Sequence, residues 1–261
     1  MDFMMDSVME AFYYFRLGQS NTSTALYYSS STGQSSVHNV DELPDQDVGT
    51  NRLVLVSDTH DRYRCLNLPK GDIFIHAGDI LMTARKISTA RGEEKLKDFN
   101  DWLGTLDFKN KLVIAGNHDK PIETLGAEKT RQILSNATYL QNECFDIDSL
   151  TMFGCPSSSG HSGNDSFQSS KFNKETLDTI HSPSMKKVDI LISHGPNFEL
   201  AGLLQPQLHV WGHAHHYYGV YKPGEKLWGY EFGGLSVNAS IMTTKYKPDN
   251  LPIVIDFSLN K

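Results

Sequence analysis

The chain has 261 residues, 39% of them hydrophobic, which favours one domain with a substantial core plus a tail over two full domains. Its formal net charge of −7 excludes the broad basic surface with which proteins hold a nucleic-acid backbone. A polymeric nucleic acid is therefore not expected as a partner, whereas a small phosphorylated ligand at a metal site is compatible with this charge.

The cysteine content and the hydropathy pattern narrow the class of protein further. Cys65, Cys144 and Cys155 are odd in number and widely spaced, which argues against a disulfide framework and against a Cys-type zinc site. No apolar run approaches the roughly 18 residues of a membrane span. The first residues carry acids where a secretory signal carries bases. We expect a cytoplasmic protein without a membrane span.

The first predicted element is an apolar segment over residues 3–15, which has the spacing of one helical face. Residues 19–50 follow; they are rich in Ser, Thr, Asn and Gln and lack sustained periodicity, which is typical of poorly ordered chain. The sequence therefore predicts a tail over residues 1–50, with one short helix, and a single domain over residues 51–261.

From residue 51 onward, short aliphatic or β-branched runs alternate with turns that carry polar residues. We predict strands over 52–56, 72–77, 111–115, 150–154, 188–193, 207–212, 229–240 and 252–258. Helical periodicity predicts one helix over 92–106 and another over 124–134. Helices alternate with strands in the first part of the domain, and strands follow one another directly in its last part. This order predicts an α/β sandwich of two packed sheets flanked by helices.

Polar side chains follow five of the predicted strands, at the carboxyl ends where α/β folds bind ligands. They are Asp58, Thr59 and His60, then Asp79, then Asn117, His118 and Asp119, then His194, and finally His213 and His215. A single Asp or His at a strand end is usually a turn residue or a helix cap. Five such ends together indicate a shared metal cluster.

The residue types at these ends suit transition metals. Residues i and i+2 share one side of an extended segment, so Asp58 with His60, and His213 with His215, can each clamp one ion. Mixed Asp, His and Asn ligands suit iron, manganese or zinc, and imidazoles disfavour magnesium and calcium. Two ions about 3.5–4 Å apart, bridged by a carboxylate and a hydroxide, form a template for displacement at phosphorus. Asp79 is the natural bridge.

Five segments in chain order resemble the five blocks of the calcineurin-like metallophosphoesterases: DTH (58–60), GD (78–79), GNHD (116–119), SHGP (193–196) and GHAH (212–215). Most of residues 51–258 is also similar to the branch of metallophosphoesterase domain-containing proteins, some of which hydrolyse cyclic nucleotides. Three phrases carry that closer resemblance: FNDWLG before KLVIAGNHD, ATYLQNE, and QLHVWGHAHHYYG followed by VNAS. The resemblance implies the four-layer α/β/β/α sandwich of two mixed sheets that this family adopts.

The resemblance also implies a ligand set for two divalent or mixed-valence ions, with manganese, iron and zinc as candidates. It assigns Asp58, His60 and His215 to the first ion, Asn117, His194 and His213 to the second, and Asp79 to both. Some vertebrate members of the branch carry glycine where this chain has His213. The histidine implies a complete second site.

The same resemblance implies that His118 is a catalytic residue and not a ligand, because in the family it supplies positive charge or a proton to the departing oxygen. Asp119 follows directly and is expected to orient that imidazole and keep it protonated. Residues 157–170, SSSGHSGNDSFQSS, replace the tryptophan-rich loop of the branch. Their small and polar side chains predict an open, flexible rim.

Three classes of function remain open at this point. The leading hypothesis is a dinuclear phosphoesterase in which a metal-bridging hydroxide attacks a small phosphoester, with phosphodiesters such as cyclic nucleotides ranked above phosphomonoesters and phosphoproteins by resemblance alone. The second is a catalytically weak, nucleotide-binding regulatory module. The third is an interaction protein whose residues 1–50 recruit a partner while the domain serves as a scaffold.

Overall fold

The structure is a computed structural model that describes residues 23–82, 88–158 and 163–259. Its first sheet is mixed and contains β1 (Thr24–Ser29), β2 (Gln34–Asn39), β3 (Asn51–Val56), β4 (Ile73–Ala77), β5 (Asn110–Ile114), β6 (Thr138–Tyr139) and β15 (Ile253–Phe257). The strands lie in the order β2-β1-β15-β3-β4-β5-β6. Strands β3 to β6 are parallel, and β15 runs antiparallel to β3.

The second large sheet contains β7 (Glu143–Ile147), β8 (Leu150–Cys155), β9 (Ile190–Ser193), β10 (Leu208–Trp211), β11 (Gly219–Tyr221) and β14 (Leu235–Asn238). The order is β11-β14-β10-β9-β8-β7, with the four inner strands parallel and both edge strands antiparallel. A separate hairpin pairs β12 (Lys226–Leu227) with β13 (Tyr230–Glu231). The central strands of both large sheets therefore include parallel neighbours, whose carboxyl ends lie at the same edge of the sheet.

Five α-helices lie in the described residues: α1 (Thr89–Gly104), α2 (Lys120–Leu125), α3 (Ala127–Ile133), α4 (Ser170–Ile180) and α5 (Phe198–Leu204). The Ser88 side chain caps α1 by accepting a hydrogen bond from the Arg91 backbone N–H. The helix buries the predicted face, including Phe99 and Trp102. Among the described helices, none has both the length and the apolar character that a bilayer-crossing segment needs.

The alternation of side chains along the strands divides the core into layers. On β3, Leu53 and Leu55 belong to the apolar cluster between the two sheets, whereas Val54 belongs to the cluster beneath α1. On β9, Ile192 faces the cluster between the sheets, and Leu191 packs in a third cluster with residues of α5. Helices thus cover the outer face of each sheet. The predicted four-layer sandwich is confirmed.

The prediction that residues 19–50 are poorly ordered is wrong for β1 and β2. Strand β1 pairs in parallel with β15, with Leu26 opposite Ile253, and buries Ala25 and Tyr27. The Tyr27 hydroxyl donates a hydrogen bond to Asp256, a residue 229 positions away. The strand was missed because its pairing is non-local and its flanks are polar. The predicted helix over 3–15 lies outside the described residues.

Two further boundaries differ from the prediction. The helix expected over 124–134 is two helices, α2 and α3, because Gly126 has φ 78° and interrupts the helical backbone between them. The strand expected over 229–240 is likewise interrupted and contributes β13 and β14. Strands β2, β6, β7, β11 and β12 were not predicted, since each is short, polar or at a sheet edge.

Candidate metal centre

The predicted ligands lie at one edge of the sandwich, where the parallel strands of both sheets end. Asp58 and His60 follow β3, Asp79 follows β4, and Asn117 follows β5 in the first sheet. His194 follows β9, and His213 and His215 follow β10 in the second sheet. Both sheets therefore contribute to the centre, as the rule for strand ends requires.

The ligand atoms fall into two groups that are linked by one carboxylate. Three residues form each group, with their ligand atoms within 4.8 Å of one another: Asp58, His60 and His215 in the first, and Asp79, His194 and His213 in the second. Asp79 also belongs to a group with His60 and His118. Its Oδ2 lies 3.7 Å from His60 Nε2 and its Oδ1 lies 3.3 Å from His194 Nε2. Asp79 therefore has the position of a shared ligand.

The Asn117 amide completes the second group. Its Oδ1 lies 2.9 Å from His194 Nε2 and 2.8 Å from His213 Nδ1. Asp58 and His60 belong to the same group, whereas His213 and His215 contribute to different groups. The φ values of Asp58, His60 and His213 are 52°, 43° and 65°, so none of these residues has the extended backbone on which the alternation of side chains depends. The assignment of Asn117, His194 and His213 to a second ion stays a prediction.

Three imidazoles are oriented by backbone carbonyl groups. The Nδ1 atom lies 3.0 Å from Ala77 O in His194, 3.2 Å from Thr243 O in His215 and 3.4 Å from Leu81 O in His60. A proton on Nδ1 leaves the lone pair on Nε2 available to a cation. His60 Nε2 is buried and has no hydrogen-bond partner among the described residues. A buried nitrogen of this kind fits a metal ligand.

Burial and mutual charge shift the pKa values of these groups. Burial alone would raise the pKa of Asp79, but the adjacent His194 and His60 more than offset it and hold the pKa below its usual range. Burial lowers the pKa of His60 to about 4. Burial also lowers that of His194, but the Asp79 carboxylate reverses the shift and raises this pKa to about 9. The carboxylates therefore attract positive charge into the centre.

Strained backbone accompanies the ligands. Asp58, His60, Asp79 and His213 all have positive φ values, of 52°, 43°, 52° and 65°. Residues other than glycine pay for this conformation, which clusters at functional sites and persists where the surroundings enforce it. Here hydrogen bonds between adjacent strand ends enforce it, since the Asp58 N–H donates to Gly78 O at 2.9 Å and the His60 N–H donates to Asp79 O at 3.1 Å.

Two glycines provide room for the carboxylates. A Cβ atom at Gly116 would lie 2.3 Å from Asp79 Oδ1, and one at Gly212 would lie 2.2 Å from Asp58 Oδ2. Both distances are far inside van der Waals contact, and neither glycine has a positive φ. The glycines before Asn117 and His213 are therefore required for the close approach of the Asp79 and Asp58 carboxylates.

Asp119 contacts the loops of the centre. Its carboxylate accepts hydrogen bonds from the N–H groups of Ile80 at 3.1 Å, Leu81 at 2.8 Å and Gly116 at 2.8 Å. All three hydrogen bonds of this carboxylate come from the backbone, and none comes from the His118 ring. Burial raises the pKa of Asp119 to about 8, although these N–H groups oppose the rise. The contacts join the loop after β4 to the loop after β5.

Two residues near His118 were not identified from the sequence. The Asn164 side-chain nitrogen lies 3.0 Å from His118 Nε2. The Tyr246 ring centroid lies 5.2 Å from that of His60 and 5.1 Å from that of His215. Each is an isolated residue in an irregular segment, so no periodicity or spacing marks it. The region around His118 therefore includes chain outside the five motifs.

The segment 157–170, whose small polar side chains predict an open rim, also contains a buried aromatic residue. Phe167 is only 1% exposed and packs against Phe172, with ring centroids 5.3 Å apart. The Phe167 N–H also donates to the Glu123 carboxylate at 2.8 Å. This aromatic anchor was missed because a single Phe in a run of small polar residues does not predict burial.

Two histidines within strands β4 and β10 are buried. His76 Nε2 lies 2.9 Å from Thr59 Oγ1, and His209 Nε2 lies 2.8 Å from Ser193 Oγ. Their Nδ1 atoms have no hydrogen-bond partner among the described residues, so each ring is only half satisfied. His76 thus contacts the hydroxyl group of Thr59, which lies between Asp58 and His60 in the sequence. His209 contacts the hydroxyl group of Ser193, which precedes His194.

Known proteins share this sequence pattern. A family model described as calcineurin-like phosphoesterase matches residues 51–217, which include all five motifs. Metallophosphoesterase domain-containing protein 1 of Homo sapiens is 32% identical over 254 residues, covering 80% of this chain and 71% of that protein. UPF0046 protein C25E10.12 of Caenorhabditis elegans is 28% identical over 253 residues, which cover 80% of this chain and 81% of that protein.

One solved structure, at 15% identity, shares the fold with a TM-score of 0.53; the match covers 72% of this chain and 90% of the chain in that structure. The chain belongs to the calcineurin-like phosphoesterase family.

Proposed function

We propose that the protein is a dinuclear, metal-dependent phosphoesterase that prefers phosphodiesters, with cyclic nucleotides among its substrates. The position of Asp79 supports this proposal most strongly, because one carboxylate lies between His60 and His194, in two separate ligand groups. A shared carboxylate is characteristic of paired-metal phosphoesterases. Isolated metal sites do not need one.

Different residues would bind each of the two ions. The first ion would be held by Asp58, His60 and His215, the second by Asn117, His194 and His213, and both by Asp79. When bound, such ions polarise phosphoryl oxygens and make water nucleophilic at neutral pH. Manganese, iron and zinc all suit this donor set.

His118 would give a proton to the departing oxygen. Its backbone N–H donates to Asp79 Oδ1 at 2.7 Å, which fixes the residue beside the shared ligand. Its ring centroid lies 4.7 Å from that of His60. An acid in this place neutralises the charge that develops on a leaving alkoxide, and such catalysis typically contributes about 10²–10⁴-fold in rate.

The preference for diesters follows from the family resemblance and agrees with the charge of the neighbouring residues. A phosphodiester carries one negative charge fewer than a phosphomonoester dianion. Among the described residues, Asn164 lies against His118 and Tyr246 lies against His60, and neither is a Lys or Arg side chain. A diester therefore needs no additional cation at this position.

The test compares bis-p-nitrophenyl phosphate with p-nitrophenyl phosphate in the presence of added manganese. We expect a higher kcat/KM for the diester, because the second ester group carries no charge that this part of the site would have to compensate. A strong preference for the monoester would contradict the proposed specificity. Tight nucleotide binding without turnover, and a His118→Asn variant indistinguishable from wild type, would support a regulatory module instead.

A further inference from the structure

We infer that Asn164 is a positioning residue of this active site, which orients the ligand Asn117 through its backbone and the His118 ring through its side chain. The inference deepens the proposed function and rests on it, because it concerns the same ligands and the same acid. Asn164 lies in the loop after β8, and none of the five motifs includes it.

The first contact selects the orientation of a ligand. Asn117 Nδ2 donates a hydrogen bond to the backbone carbonyl of Asn164 at 3.1 Å. A carboxamide has donors only on nitrogen, and a cation binds only its oxygen. The carbonyl of Asn164 therefore holds the nitrogen of Asn117 on one side and leaves Oδ1 facing His194 and His213.

The second contact fixes the far end of the His118 ring. The backbone of His118 is held by its hydrogen bond to Asp79, which leaves the side-chain torsions to be determined. Asn164 Nδ2 lies 3.0 Å from His118 Nε2 and restricts the rotation of the ring. A carboxamide offers a donor and an acceptor, so Asn164 can pair with either tautomer of the ring.

Helix α2, which follows Asn117 and His118 in the chain, positions the loop that contains Asn164. The Phe167 N–H donates to Glu123 Oε1 at 2.8 Å, and the Phe167 side chain is buried in the core. Glu123 belongs to α2, which begins at Lys120 immediately after the GNHD motif. A rigid helix therefore connects the anchor of the loop to Asn117 and His118.

The test uses Asn164→Ala with Gln168→Ala as a matched control. Gln168 lies in the same loop, and its side-chain amide donates to Ser158 Oγ at 2.7 Å instead of contacting His118. Asn164→Ala keeps the backbone carbonyl, so we expect its metal content to equal that of wild type. The variant loses the contact with His118 Nε2.

Leaving-group dependence separates a positioning role from a general structural one. Diphenyl phosphate releases a poor leaving group and needs a proton, whereas bis-p-nitrophenyl phosphate needs little assistance. We expect Asn164→Ala to lower the rate on diphenyl phosphate by at least about tenfold, a part of the roughly 10²–10⁴-fold that general acids contribute. The rate on bis-p-nitrophenyl phosphate should change much less, and Gln168→Ala should affect neither. Asn164→Ser provides a second variant if the alanine protein is unstable.

A spectroscopic measurement is independent of turnover. The ring-nitrogen resonances of His118 in the zinc-loaded protein, assigned with His118→Asn, should shift in Asn164→Ala and stay unchanged in Gln168→Ala. Unchanged resonances, or equal rate losses on both diesters, would overturn the inference. If wild type hydrolysed neither diester, the proposed function would fail, and the resonances would still decide whether Asn164 holds the ring.

Discussion

The two ligand groups of the centre are built in different ways. In the first group, Asp58 and His60 both come from the short segment after β3, and both have left-handed backbone conformations. In the second, Asn117, His194 and His213 each follow a different strand, and these strands belong to both sheets. The first group therefore takes two residues from one turn and His215 from the other sheet, whereas every residue of the second group follows a different strand.

The surroundings of both groups include contacts from distant parts of the chain. Ser240 Oγ and the His213 N–H donate to the Asp58 carboxylate, at 2.8 and 2.9 Å to its Oδ2. The loop after β8 contacts Asn117 in the second group. One short turn thus supplies two residues of the first group, but tertiary structure completes both groups.

The largest effect is expected from Asp79→Asn, because this carboxylate lies 3.7 Å from His60 of the first group and 3.3 Å from His194 of the second. The amide lacks the charge that holds two cations together, so we expect loss of both ions. The loss of activity should exceed the roughly 10–100-fold that changes around a ligand typically cause. Metal analysis and diester hydrolysis of the purified variant measure both. Retention of one full metal equivalent would show that the groups bind independently of Asp79.

Substitution of one ligand in each group should affect the two ions separately. We expect His60→Ala to lose the first ion and His213→Ala to lose the second, since each residue belongs to only one of the two groups that Asp79 joins. Each variant, loaded with manganese, should bind about one equivalent and lack the magnetic coupling of a paired centre in electron paramagnetic resonance. Loss of both ions from both variants would contradict the division into two halves.

A smaller effect is expected from Asp119→Asn, which tests the connection between the loops that carry Asp79 and Asn117. The amide nitrogen cannot accept hydrogen bonds from the backbone N–H groups that Asp119 binds. A buried unsatisfied group typically costs about 1–3 kcal/mol, so the free energy of unfolding in urea should fall by that order. The control is Asp148→Asn, whose partner Lys109 is exposed and whose loss should cost less than about 1 kcal/mol.

This variant also decides between two roles for Asp119. Unchanged stability, together with a selective rate loss on substrates that have poor leaving groups, would show that Asp119 acts through His118, as the sequence suggests. Reduced stability with a general weakening of metal binding would support the role that its hydrogen bonds indicate.

Sequence reasoning succeeded where function depends on short segments at the ends of buried strands. Runs such as KLVIAGNHD contain both the strand and its ligand, and parallel strands bring such ends together without further information. The four layers were predictable for the same reason, because strands buried on both faces require helices on the outside.

The features that the sequence did not reveal depend on partners far away in the chain. Strand β1 is defined by β15, and Asn164 acquires its role only when the loop after β8 reaches His118. His213 and His215 fall into different groups, which their spacing in the sequence did not predict. Asp119 was assigned to its neighbour in sequence, although its hydrogen bonds reach a loop almost 40 residues earlier.

The central claim is that two cations are held on either side of Asp79. A crystal soaked in manganese and measured for anomalous scattering tests it directly, because manganese can be located without reference to activity. We predict two peaks about 3.5–4 Å apart, the spacing of paired-metal phosphoesterase sites, with the Asp79 carboxylate between them. A single peak, or two peaks that do not share Asp79, would contradict the account.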